Sequence, residues 1–166
     1  MNVWSEINKV VNVLDPVATA FATGVTDIVN MKNYKKCTFI VVTGASVANT
    51  DSTLTVLAGV SNTSCATPIV FKYRTQIAAV TPAAGSDVPL TLTTAAVGGF
   101  AMIASKKGGV YIIEVDAAVV AAGGTDYDHV AVNIVEATGS GAALGTIIAI
   151  LSEPRYPQDV LATAID

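Results

Sequence analysis

A chain of 166 residues and 16.9 kDa is long enough for one domain with a real core, burying roughly 70% of the surface that its unfolded form exposes. It is 52% apolar and 13% charged, against roughly a quarter charged in an average soluble domain, so its surface is either neutral and rich in Thr, Ser and Ala or partly covered by neighbours. Nine Lys and Arg against thirteen Asp and Glu leave a net charge of −4 without long runs, which excludes a basic stripe along a phosphate backbone and with it nucleic acid as an expected partner.

The opening "MNVWSEINKVVNVLDP" lacks the basic flank and continuous apolar stretch of a secretory signal. No segment approaches the roughly 20 apolar residues that a bilayer span needs. Folding in the cytoplasm, with no membrane partner, is the expectation. Ile7, Val10, Val11 and Leu14 recur at three- and four-residue spacing, Trp4 lies one turn before Ile7, and Asp15-Pro16 ends the pattern. The spacing predicts a short amphipathic helix or turn. It belongs to an N-terminal segment, 1–24, that either packs on the domain or lays Trp4, Ile7 and Val10 on a neighbour, because so short a helix needs something to pack against.

From Val25 onward the vocabulary changes to β-branched residues in short blocks between Gly, Asn, Asp, Ser and Pro clusters. Eight blocks read as strands: "VTDIVNM", "KCTFIVVTG", "STLTVLAGV", "PIVFKYR", "GFAMIAS", "GVYIIEVDA", "HVAVNIVEA" and "LGTIIAILS". Leu54 and Val56 alternate with Thr53 and Thr55, and Val130, Val132 and Ile134 alternate with Ala131 and Asn133, as half-buried antiparallel strands require. "TFIVV" and "TIIAIL" are apolar on both faces, which places them mid-sandwich or beneath a cover. "GASVANTD", "SNTSCATP" and "TGSGAALG" read as polar turns, "SKKGG" as a tight hairpin, and 77–97 as the longest connection. "DAAVVAAGG" has an Asp cap, alanines and a Gly-Gly stop, and predicts one helical turn bridging two sheets. The expected fold is all-β: a two-sheet antiparallel β-sandwich of jelly-roll type over 25–152, with a short N-terminal helix or arm and an extended C-terminal arm over 153–166, one domain overall.

Little in the chain points to chemistry. His129 is the single imidazole and opens a predicted strand beside Asp126 and Asp128, which reads as a partly exposed His with acidic neighbours. No G-x-S-x-G marks a nucleophile, and "GGTDYD" lacks the further ligands of a calcium loop. Cys37 and Cys65 stand far apart with no second pair, which argues against a zinc site and makes free thiols the default. "VFKYR" sets Phe71 and Tyr73 on one strand face and Lys72 and Arg74 on the other, a possible ligand face that strand alternation also explains. The reading is of no catalytic residues, no metal and no cofactor.

Taken together, "INKVVNVLDPVATAFATG", "DIVNMKNYKKCTFIVVTG", "VFKYR", "GVYIIEVDA" and "EPRYPQDVLATAID" resemble small structural proteins encoded beside the capsid genes of tailed bacteriophages, specifically capsid decoration, or cement, proteins. The resemblance implies a jelly-roll sandwich on the outer capsid surface of the virion, a dimer or trimer, with the major capsid protein as partner and no active site. A net charge of −4 suits an outward position better than one facing packaged DNA. In that setting Pro154 and Pro157 forbid helix over 153–156 and stiffen an arm in which Arg155 and Tyr156 anchor and Val160 and Leu161 pack, at a reduced entropic cost of docking. The expected function is a non-enzymatic virion protein that stabilises a capsid by bridging neighbouring major capsid subunits. The alternatives are a glycan- or receptor-binding jelly-roll module using "VFKYR" or the 77–97 loop, and a tail or head-completion protein.

Overall fold

The computed structural model describes residues 3–46, 52–76, 91–102, 109–136, 143–156, 161 and 163–165. Its first element is a single helical turn, α1 (Trp4–Ile7), and the strand β1 (Lys9–Val17) follows at once. The helix predicted from Ser5 to Leu14 is therefore a strand beyond Asn8. Helical spacing at Ile7, Val10, Val11 and Leu14 coexists with alternation at Val11 and Val13, and the β-branched valines fit the alternation. Strand pairing then gives the backbone its partners and buries Val13 to 2% exposure.

The chain continues through β2 (Gly24–Val25), β3 (Val29–Asn30), β4 (Tyr34–Ser46), β5 (Thr53–Ser61) and β6 (Ser64–Ile69), then β7 (Phe71–Gln76), β8 (Thr93–Ala95), β9 (Phe100–Ala101) and β10 (Val110–Asp116). Helix α2 (Ala117–Ala122), β11 (His129–Val135) and β12 (Ala143–Pro154) complete it. Two antiparallel sheets result, as expected for an all-β sandwich. The first runs β1-β12-β4-β10-β7-β8; the second runs β2-β11-β5-β6, with β3 also on β11 and β9 also on β5. Pairings are nested from the ends inward: β1 with β12, β2 and β3 with β11, β4 with β10, β5 with β6. Every described pairing is thus a long-range closure or a hairpin, with successive pairs assigned to alternate sheets.

Between the sheets lies the core. Phe39, Val41, Ile113, Ile147 and Leu151 from the first sheet face Leu54, Val56, Val130 and Val132 from the second, all 0% exposed. Phe100 on β9 stacks on Tyr73 of β7 with ring centroids 4.0 Å apart and planes 2° from parallel, so an aromatic pair joins the two layers. Thr26, in the gap between β2 and β3, donates its N–H to the Val132 carbonyl at 2.9 Å and accepts the Val132 N–H on Oγ1 at 3.1 Å, which keeps the β11 ladder satisfied across the gap. Close approach at β6 requires Gly59: a Cβ there would lie 1.8 Å from the Ser64 carbonyl oxygen, where the β5–β6 register shifts.

Helix α2 matches its sequence signals. Asp116 accepts the Ala118 N–H at 2.8 Å, the Gly123 N–H bonds the Val120 carbonyl, and the turn carries the chain from β10 in one sheet to β11 in the other. Two segments differ from expectation. "SNTSCATP" is a turn only at Asn62-Thr63, since Ser64 onward forms an edge strand whose Pro68 is tolerated there. Among its described residues, "GFAMIAS" forms a strand at Phe100–Ala101 alone. "SKKGG" apart from Gly109, and most of the 77–97 connection, lie outside the described residues.

The C-terminal segment, expected as an extended arm, lies against its own sandwich at the residues that are described. The Arg155 N–H donates to the Asn33 carbonyl at 2.9 Å, Leu161 packs against this chain's own core, and Ala164 is 1% exposed with its carbonyl accepting the Asn30 N–H at 2.8 Å. The physical reason is that the short edge strand β3 needs a partner for Asn30, and burying Leu161 and Ala164 on the sandwich supplies one.

Candidate functional site

Three surfaces hold the residues singled out by sequence. The first is the N-terminal turn. The Val3 N–H donates to the Glu6 carboxylate at 2.9 Å and the Asn8 side-chain amide donates to the Trp4 carbonyl at 2.9 Å, so α1 is held by local bonds and buries none of its residues. Val3, Trp4, Ile7 and Val10 are left 58%, 54%, 41% and 50% exposed. Local hydrogen bonds thus present Val3, Trp4 and Ile7 to solvent, and the pairing of β1 with β12 presents Val10 beside them.

The second surface is the C-terminal segment, which the structure divides. Tyr156 is exposed, whereas the Arg155 guanidinium is engaged by its own chain, with Nε donating to the Tyr34 carbonyl at 3.3 Å. Leu161 faces inward on the sandwich, and Val160 lies outside the described residues.

On the outer face of the first sheet, Lys72 and Arg74 point outward from β7 while Phe71 and Tyr73 turn toward the core, as the alternation predicts. Register places Lys72 beside Glu114 and Thr94, and Asp116 beside Lys36. Lys36 Nζ lies 2.7 Å from the Glu153 carboxylate; that hydrogen bond and charge, followed by Asp116 and Glu114, hold the Lys36 pKa above its ordinary value. Lys36, Lys72, Thr94, Glu114 and Asp116, with Thr38, Val70 and Val119, line a groove of about 600 Å³ with both signs of charge. Sequence reasoning found Lys72 here but not Lys36, Glu114 or Asp116, whose proximity depends on the β4–β10 register. The signal that was present is the two-faced apolarity of "TFIVV" and "TIIAIL", which are the central strands β4 and β12.

The thiols and the histidine are built for packing. Burial pushes the Cys65 thiol up to about 12, and its Sγ donates to the Leu57 carbonyl at 3.1 Å, so its proton is committed at neutral pH. Cys37 is fully buried and its pKa is raised by desolvation. His129 is 7% exposed and its Nδ1 bonds the Asp128 carboxylate, a more enclosed setting than the partly exposed strand end expected. Asp126 is exposed in the same turn with φ of 60°. Among the described residues no three His, Cys, Asp or Glu side chains gather as a metal site. No family model matches this chain, and neither a curated protein nor a solved structure matches it.

Proposed function

We propose that this chain is a non-enzymatic structural protein of a virion, a decoration protein that stabilises a tailed-phage capsid by bridging neighbouring major capsid subunits. The observation that carries the reading is the N-terminal strip of Val3, Trp4 and Ile7, exposed on or beside a turn that buries none of its residues, continued by exposed Val10 at the start of β1. An apolar strip of this kind marks a surface that a partner covers. Each such side chain fully buried at a seam contributes roughly 1.5–3 kcal/mol before ordering costs, so many copies raise the free energy needed to open the shell.

The strand order supports a jelly-roll assignment within the sandwich. Nested antiparallel pairs, split as β1-β12-β4-β10 and β2-β11-β5-β6, are what rolling one long hairpin into two Greek keys produces, with β7 and β8 as additions to one sheet. The test compares purified particles with and without this protein on heating and on chelation, alongside a Trp4→Ala, Ile7→Ala variant. Particles that survive better with the protein, and lose it when the two side chains are trimmed, support the proposal. Equal survival with no recovery of the protein in particles ends it.

A second reading, a glycan-binding module of the virion, is favoured by the mixed-charge groove beside Lys72. Carboxylates, ammonium groups and threonine hydroxyls together form hydrogen bonds to sugar hydroxyls of either polarity. A glycan array separates it from the first, as does copy number, since decoration proteins occur in hundreds per particle and receptor binders in tens or fewer.

A further inference from the structure

Beside its charged groove, the outer face of the first sheet carries an aliphatic patch where a solvated sheet face is ordinarily polar. Register sets Ile148, Ile40 and Ile112 in one row across β12, β4 and β10, places Val42 beside Val110 in the next, and puts Ile150 in the row beyond. All six are half-buried and lie on the opposite side from Val41, Ile113 and Ile147, which are 0% exposed in the core. On the outer face of the second sheet the Asn133 amide donates to the Thr55 hydroxyl at 3.1 Å, beside the apolar pair Leu57 and Ala131.

We propose that a second copy of this chain covers this face, in a two-fold dimer whose axis runs along the boundary between β4 and β10. Rotation about that axis lays each β4 over the partner's β10. The observed register then opposes Lys36 to the partner's Asp116, Thr38 to the partner's Glu114, Ile40 to the partner's Ile112 and Val42 to the partner's Val110, each contact made twice. β12 falls over the partner's β7, so Ile148 and Ile150 meet the aliphatic stems of Arg74 and Lys72.

Charge selects this axis over its neighbours. An axis along β4 brings Lys36 against its own copy and sets Glu114 on the hydrocarbon of Ile150; an axis along β10 brings Glu114 and Asp116 each against its own copy. Only the boundary axis mates opposite signs while burying the isoleucine row. Sheets that pack face to face lie about 10 Å apart with strands within about 30° of each other, so the central rows stay opposed. At its widest the face measures roughly 29 Å by 23 Å from standard strand spacing and rise, of the same order as the ~800 Å² per partner of a stable interface.

Sedimentation of the full chain from micromolar to near-millimolar concentration tests the proposal. The wild type is expected to be a dimer. Ile112→Asp and Ile40→Lys are each expected to weaken self-association by ~100-fold or more by burying an unpaired charge, with circular dichroism unchanged. Mixing the two variants in equal amounts restores a dimer, because one introduced carboxylate then faces one introduced ammonium while the other Ile40–Ile112 contact is intact. A wild type that is monomeric throughout overturns the proposal, as does a dimer that survives both substitutions. Variants that stay monomeric on mixing overturn the axis. The inference deepens the self-association within the virion reading, and the two fail separately: a monomer recovered in particles sinks the dimer alone, and a dimer never recovered in particles sinks the virion reading alone.

Discussion

Desolvation raises the pKa of both thiols, that of Cys65 from an ordinary 9.0 up to about 12. A folded-state pKa above the unfolded one means that the native state keeps a proton which the unfolded chain releases. The associated stability is complete below pH 9 and falls as pH climbs toward 12, by about 1.4 kcal/mol per pH unit for each thiol. Denaturant midpoints measured from neutral pH to about 10.5 should decline, and a Cys37→Ala, Cys65→Ala variant should decline less steeply. Native protein should also resist alkylation at both positions. Gly59 tests a different local constraint. Its Cβ position coincides with the Ser64 carbonyl, which belongs to backbone and cannot rotate away. Gly59→Ala should therefore cost ~3 kcal/mol in chemical denaturation, toward the upper end for overpacking.

At the level of elements, β12 is the strand on which the first sheet depends, since it pairs β1 on one side and β4 on the other. Leu151, fully buried between them, should cost about 2–5 kcal/mol on truncation to Ala, whereas Val10→Ser on the exposed side of β1 should stay within ~0.5 kcal/mol, both read from urea midpoints. The same contrast explains what the sequence made legible. β4, β5, β10, β11 and β12 carry enough Val, Ile and Leu, in alternation or continuous runs, to declare themselves, and α2 declares itself through Asp116 and Gly123-Gly124. β1 does not, because Ile7, Val10, Val11 and Leu14 satisfy helical spacing as well. What decides between the periods is a partner strand at the far end of the chain. β6 is hidden because Ser64, Thr67 and Pro68 use the vocabulary of turns while serving as an edge. For the candidate surfaces, exposure of Trp4 and Ile7 follows from a helix too short to bury them, and that of Val10 from its place on the outer side of β1. The inward docking of Leu161 does not, since it goes with the bond from the Asn30 N–H on β3 to the Ala164 carbonyl.

For the molecule as a whole, nested pairing makes the two ends of the chain unequal. Residues before Lys9 contribute no buried side chain in the described structure, so deleting residues 2–8 should leave the melting temperature of the sandwich nearly unchanged while removing Val3, Trp4 and Ile7 from the exposed strip on which particle attachment is proposed to depend. The last strand is a central strand of its sheet, and a chain ending at Thr138 should not fold, because β1 and β4 would face an empty slot between them. Between these extremes lies the segment after Tyr156. A stiff arm reserved for a neighbour can be cut without loss of monomer stability. A segment that buries Leu161 and Ala164 and closes a hydrogen bond to Asn30 cannot, and its removal should cost about 1–3 kcal/mol from lost apolar burial and one unmet backbone donor. Equilibrium unfolding of a chain truncated after Tyr156 distinguishes the two. A lowered midpoint assigns the tail to its own sandwich and leaves Trp4, Ile7 and Val10 as the terminal contacts available to a partner. An unchanged midpoint returns the tail to the role of a free limb.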